Sequence, residues 1–381
     1  MNTDRTQFKT QFLFTPTENF TGLLNLQFQP NGSENVNGLT FKTPEPLTYA
    51  NGALVNRSTL PEQKLIRPWF TSQSAYSVNN YFANPIYMDN NGGIITGTRG
   101  ATINLDWKTP GHNLKYIGGY KDHYFSAAND EGTPFNITTD GGYITDYMQG
   151  SNELVLESNK GGRVDYKTGL YLFYSTNNSI NRTRYGSDAG AWFANAAQYN
   201  VLGANSSGRN LLTDSLNGIY KVTDTKVENW SNAIFGEANW HVTEPLTVTT
   251  GLRLTDDDRS GLQGINLEDF GRGGNLNPVS VNNVQLGGFN SNASTGALLA
   301  NNTADQIAKA NAVAQTYFST NYANLTSAQL IQIANAKTLR AQQIGSLYKP
   351  TDAQPYQGIL PNSNLTVSYK INDNYTPYVG W

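Results

Sequence analysis

The stretch 246–255, LTVTTGLRLT, alternates without a break. Leu246, Val248, Thr250, Leu252 and Leu254 fall on one side of an extended chain, and Thr247, Thr249, Gly251, Arg253 and Thr255 on the other. A period of two makes this a strand with one apolar face and one wet face. Thr243, Glu244 and Pro245 precede it as a turn, because proline cannot carry on a ladder. Before the turn, Ile234, Gly236, Ala238, Trp240 and Val242 share one face and Phe235, Glu237, Asn239 and His241 the other. Strands of about ten residues are long enough to cross a bilayer when tilted. A soluble sandwich alternates too, so recurrence of the pattern has to decide.

It recurs in four more hairpins, 7–14 with 20–29, 101–108 with 113–125, 146–158 with 163–177, and 364–371 with 375–381. Their turns carry ladder-breaking residues: Pro16 and Asn19, Pro110 and Gly111, Gly161 and Gly162, Asn372 to Asn374. The connections between hairpins belong to another size class, 31–96, 127–145, 178–226 and 258–362, and are rich in Asn, Gly and Ser. Most connections in compact soluble domains run about four to six residues. Short turns at one end and long loops at the other are the habit of membrane barrels. The expectation is an all-β fold, a partial antiparallel transmembrane β-barrel with about ten strands in view. Inside the last loop, 303–318 and 326–344 read as a helical insertion, Ala-rich and free of Gly and Pro. Thr326-Ser327-Ala328-Gln329 opens the second helix as a capping box.

Composition narrows the function. Only 14% of the 381 residues are charged, while 12% are aromatic, so polarity rests on uncharged side chains, as suits aromatic-girdled strands and polar loops. A net charge of −3 offers no field to nucleic acid, and none is expected as a partner. No apolar run reaches the length of a membrane helix, which says nothing against membrane strands. The absence of cysteine removes disulfides, thiol nucleophiles and thiolate metal sites together. The opening MNTDRTQFKTQF has no apolar segment after its charges, so no signal peptide is read there and a section of a longer chain is expected.

Several stretches resemble the strand wording of bacterial TonB-dependent outer-membrane receptors: 11–17 (QFLFTPT), 116–122 (YIGGYKD), 151–156 (SNELVL), 166–174 (YKTGLYLFY), 233–253 and 369–378 (YKINDNYTPY). They run in order through 5–257 and 363–381. The resemblance implies a lipid-embedded barrel of the bacterial outer membrane, with 1–381 a partial barrel domain. It implies active uptake of a scarce, large nutrient of the siderophore-iron, oligosaccharide or cobalamin class. Energy would come from the TonB protein acting through a plug in the lumen. The family's signal peptide, TonB box and plug are missing from these residues, and ten strands stand against about 22 in such transporters. Two other readings remain, a passive ten-stranded porin-like barrel and a soluble all-β carbohydrate-binding protein.

No enzyme chemistry, cofactor or metal is expected. His112, His123 and His241 lack HExxH or His-x₃-His spacing. Asp256-Asp257-Asp258 begins like a calcium loop, but its twelfth position is Leu267 where Glu is required. Glu153, Glu157 and Glu237 sit on wet faces and read as lumen lining. A glycosidase pair would have to be held about 5–9.5 Å apart. Neither a G-x-S-x-G elbow nor a P-loop is present. Ligand contacts are expected from the outer loops, where aromatics and arginines suit flat or anionic ligands: Trp69, Tyr81 and Phe82 in the first, and Arg182, Arg184, Tyr185 and Trp192 in the third. The competing reading has these side chains packing the loops against one another. Tyr171, Phe173 and Phe235 are expected on the lumen face.

Overall fold

The computed structural model describes residues 2–3, 5–35, 48, 51–53, 64–73, 93–128, 133–159, 161–347 and 351–381. Each predicted hairpin pairs, and successive hairpins pair with each other, giving one antiparallel sheet. Its strands are β2 (Phe8–Thr17), β3 (Phe20–Asn35), β4 (Ile94–Lys108), β5 (His112–Ala127), β6 (Thr138–Ser158), β7 (Val164–Tyr185), β8 (Ile219–His241), β9 (Leu246–Asp269), β12 (Thr351–Tyr369) and β13 (Tyr378–Gly380). These are the ten expected strands. An eleventh, β1 (Asn2–Thr3), joins the far end of β3, and β10 (Ser280–Val281) and β11 (Val284–Gln285) form a separate ladder. Among the described residues no ladder joins β2 to β13, so the sheet is open.

The register fixes the two faces. One row of partners crosses six strands as Leu105, Tyr116, Leu154, Leu170, Ile234 and Leu254. A neighbouring row crosses the same strands as Asn104, Ile117, Glu153, Tyr171, Ala233 and Thr255. The apolar face is the more open one: Leu170 is 50% exposed, Leu252 54% and Ile234 56%. Trp230 and Trp240 bracket it on β8, ten residues apart and both exposed. That interval is about 33 Å along a strand, or about 25 Å in height at a barrel strand's usual tilt, matching the apolar band of an outer-membrane barrel.

The strands run further than alternation indicated. β7 and β8 stay paired to Arg184 and Tyr220, and β9 pairs with β12 out to Gln263 and Thr351. The connections expected at 178–226 and 258–362 therefore shrink to 186–218 and 270–350, and 127–145 shrinks to 128–137. Both faces of these extensions are largely polar, as in Asn178, Ser179 and Asn181 opposite Lys226, Thr225 and Thr223. Where both faces meet water, the period of two disappears from the sequence while the backbone ladder persists.

Four long connections leave the same end of the meander and share one apolar core. Phe70 of the first, Ile137 of the second, Leu212 of the third, and Phe289 and Ile333 of the fourth meet in one cluster. The lobe holds helices α1 (Pro68–Thr71), α2 (Ala189–Phe193), α3 (Ala196–Leu202), α4 (Ser206–Asp214), α5 (Ala304–Phe318) and α6 (Ser327–Leu347). The last two fall where the sequence placed them. Thr303 and Gln306 cap α5 reciprocally, and Gln329 returns a bond to the Thr326 N–H at 2.9 Å. α2, α3 and α4 lie in a stretch read as loop, so the expected helical insertion of one loop is part of a lobe built from all four. No helix among the described residues is long and apolar enough to cross a membrane.

Candidate functional site

Tyr185, Ile219 and Leu267, at the lobe ends of β7, β8 and β9, pack into or against the lobe core. They alternate in phase with Tyr171, Phe235 and Arg253, so the lobe leans over the wet side of the sheet.

Its centre is a stacked cation. Gly169, Phe235, Arg253 and Asn362 are consecutive partners across four strands. Gly169 leaves room for the Phe235 ring, whose edge lies 2.5 Å from where a Cβ would stand. The Arg253 guanidinium lies 5.3 Å from the Tyr171 ring centroid and 5.7 Å from that of Phe235, and its Nε donates to Thr255 Oγ1 at 3.1 Å. Arg259 pairs instead with Asp257, 3.6 Å away. A groove of about 390 Å³ runs past Tyr171, Phe173, Arg253 and Asn362. A second, of about 700 Å³, is lined near the β2 edge by Lys9, Gln11, Asn25, Gln149 and Ser151. Such surfaces suit polar or anionic groups, since an arginine held flat by aromatics keeps its N–H fork available. Tyr171, Phe173 and Phe235 are on this face as expected. Arg253 was not singled out, although it is the one cation in the alternating stretch 246–255.

Five of the seven loop residues expected to meet ligand have other surroundings. Tyr81 and Phe82 lie outside the described residues. Trp192 is 6% exposed and packs edge-on to Phe70, and Tyr185 is buried beside Phe193. Trp69 donates from Nε1 to Asp188 Oδ1 at 2.8 Å, and its backbone N–H donates to the Tyr199 hydroxyl at 2.9 Å. Arg67 completes this junction, donating to the Ala191 carbonyl and, at 2.9 Å, to that of Ala194. These aromatics join the first loop to the third. Arg182 and Arg184 are strand residues of β7, in phase with Leu170 and Leu172 and so on the apolar side of the sheet. Arg184 is paired with Asp140 at 3.3 Å and stacked on Tyr220 and Phe270.

The three histidines and Glu157 bond to other side chains of the sheet. His112 bonds the Tyr166 hydroxyl, His123 bonds Thr98, and His241 bridges Asp165 and Thr247. Glu157 lies between Lys115 at 2.7 Å and Lys167 at 3.8 Å. Asp257 faces the wet side while Asp256 and Asp258 project oppositely, because the segment read as a strand end belongs to β9. Among the described residues no group of His, Asp and Glu is arranged to hold a metal ion.

In the lobe, Arg340 of α6 is 1% exposed and fastens three segments. It donates to Asn277 Oδ1 at 2.6 Å, to the Ser215 carbonyl at 2.9 Å, and to Asp269, the last residue of β9. Burial pulls its pKa down, and Asp269 opposes the shift. Nearby, the Tyr317 hydroxyl donates to Asp214 at 3.0 Å; burial, then that carboxylate, pushes its pKa up.

No protein-family model and no curated protein matches the chain. Among solved structures it is similar to the ferric yersiniabactin uptake receptor FyuA of Yersinia pestis, with TM-score 0.48, 10% identity, and coverage of 99% of this chain and 37% of that one. It is similar also to the unliganded ferric citrate transporter FecA, with TM-score 0.42, 10% identity and coverage of 99% and 35%. For the ferric-catecholate import receptor Fiu of E. coli K12 the values are 0.39, 9%, 99% and 43%. The chain thus spans 35–43% of the length of these three structures. The likeness is loose at such scores, and the architecture rests on the sheet's own register.

Proposed function

We propose that this chain is part of a TonB-dependent receptor barrel of the bacterial outer membrane, serving active uptake of a scarce, large nutrient. The observation that carries the reading is the two-faced sheet. An exposed apolar band of about 25 Å on one face suits hydrocarbon, and the polar face beneath the lobe suits a wet lumen. The open edges at β2 and β13 favour a section of a wider barrel, since bare N–H and C=O groups are not tolerated in lipid. A passive porin of ten strands would have to pair those edges. The Arg253 cluster and the grooves beside it are where an anionic or hydrogen-bonding ligand, or the plug, would touch the wall. The ligand belongs to the siderophore, oligosaccharide or cobalamin range. The lobe faces the cell exterior, and the turns at 18–19, 109–111 and 242–245 face the periplasm.

Cysteine labelling tests this orientation, because the chain has no cysteine of its own. Ser206 begins α4 and Glu244 lies in the turn before β9, both exposed. In intact cells, a membrane-impermeant maleimide is expected to label Ser206→Cys and to reach Glu244→Cys only after the outer membrane is opened. Labelling of Glu244→Cys alone would invert the arrangement, and equal labelling of both would remove the membrane.

A further inference from the structure

Lys337 stands in α6 where that helix faces the segment 278–293. Its ammonium donates to the Phe289 carbonyl and lies 3.3 Å from the centroid of the Phe289 ring. An ammonium has three donors, so two remain beyond the carbonyl bond. Beside it is a cavity of about 280 Å³, walled by Phe289, Pro278, Ala334 and Ala341, with Ser280, Asn290 and Thr338 supplying polar edges.

The charges nearby are committed elsewhere. Arg340, one turn on, points to Asp269, and Lys309 of α5 is paired with Asp305 at 3.0 Å. Among the described residues no carboxylate pairs with Lys337. A largely buried cation without a counter-ion is costly, which is why burial pulls this amine down to about 7. Were Lys337 only a packing residue, a methionine would fill the position without that cost.

We propose that the lobe carries a ligand site of its own, in which the cavity beside Lys337 takes a small aromatic carboxylic acid. The carboxylate accepts from the Lys337 ammonium and the flat ring lies along Phe289 and Pro278. The volume lies at the small end of ligand pockets, so the guest is a single-ring acid or the end of a longer molecule. This site is separate from the polar-face cluster and does not depend on the receptor reading, because it uses lobe residues alone.

Benzoate is the probe, applied to the full chain in outer-membrane fractions or detergent. Saturation-transfer NMR at pH 6.5 is expected to detect its binding, with affinity weakened about tenfold or more in Lys337→Met, the loss of one charge-assisted hydrogen bond. Lys309→Met should bind as the unaltered chain does. Binding should weaken from pH 6 to pH 9 as the amine loses its proton. A second readout needs no variant. Pulse acetylation at pH 7, followed by mass spectrometry, should find Lys337 acetylated faster than Lys309 and slowed several-fold by benzoate, with Lys309 unaffected. Equal benzoate affinity with and without Lys337, or no protection of Lys337 in the unaltered chain, would overturn the proposal.

Discussion

Arginine at Leu252 is expected to destabilise the membrane-inserted sheet by about 2–4 kcal/mol, the cost of a guanidinium near the bilayer midplane on a barrel's lipid face. Leu252 lies on β9 opposite Gly236, midway between the levels of Trp230 and Trp240, and is exposed. Thr249→Arg is the matched control on the polar face. It breaks the bond from Thr249 Oγ1 to Asn239 Oδ1, 2.6 Å long, and leaves the new charge in water. Its expected cost is about 1 kcal/mol, one net hydrogen bond. Denaturant titration of the chain folded into liposomes measures both. Equal costs, or a larger cost at Thr249, would refute the assignment of faces.

The second large effect belongs to the lobe. Arg340→Met removes a buried guanidinium that holds α6, Asn277, the Ser215 carbonyl and the end of β9 together. The loss should be about 3–5 kcal/mol, because it strands Asp269 and a backbone carbonyl in a partly dry site. It should appear as faster amide exchange across 270–345 and the ends of β7–β9, with the ladders at the level of Leu170 and Ile234 unchanged. Lys309→Met, which breaks a pair one helical turn apart between a half-buried lysine and an exposed aspartate, should cost under about 0.5 kcal/mol. Uniform destabilisation of lobe and sheet by Arg340→Met would mean that the lobe is not a separate cooperative unit.

These two sites mark what could be read from the sequence and what could not. Leu252 was legible because one face of the strand is apolar and the other polar, which writes a period of two into 246–255. The same partition made all five hairpins visible, while Ala-rich runs free of Gly and Pro, with a Thr and Gln capping box on the second, made α5 and α6 visible. The strand extensions were silent, since Thr183, Thr223 and Thr225 lie where neither face needs to be greasy. The lobe core was silent for another reason. Phe70, Ile137, Leu212 and Ile333 come from four connections and show no common local period; only the meeting of the loops makes them a core. For Trp69, Tyr185 and Trp192 the sequence leaves ligand contact and loop packing both open, because an aromatic in a polar loop suits either until its neighbours are known. Arg182 and Arg184 were placed by the same habit, and the ladder returns them to the apolar side of the sheet. Arg253 carried a usable signal that was passed over, a lone cation on a strand with aromatics at the facing positions.

The most direct test of the central claim is a nitroxide scan of β9, one spin label at a time from Leu246 to Thr255, in outer-membrane vesicles. Collision with oxygen reports hydrocarbon, and collision with a water-soluble nickel chelate reports the aqueous side. The two-faced sheet predicts oxygen maxima at 248, 250, 252 and 254 and nickel maxima at 247, 249, 251, 253 and 255. Alternation of the opposite phase, or high nickel access at every position, would contradict it.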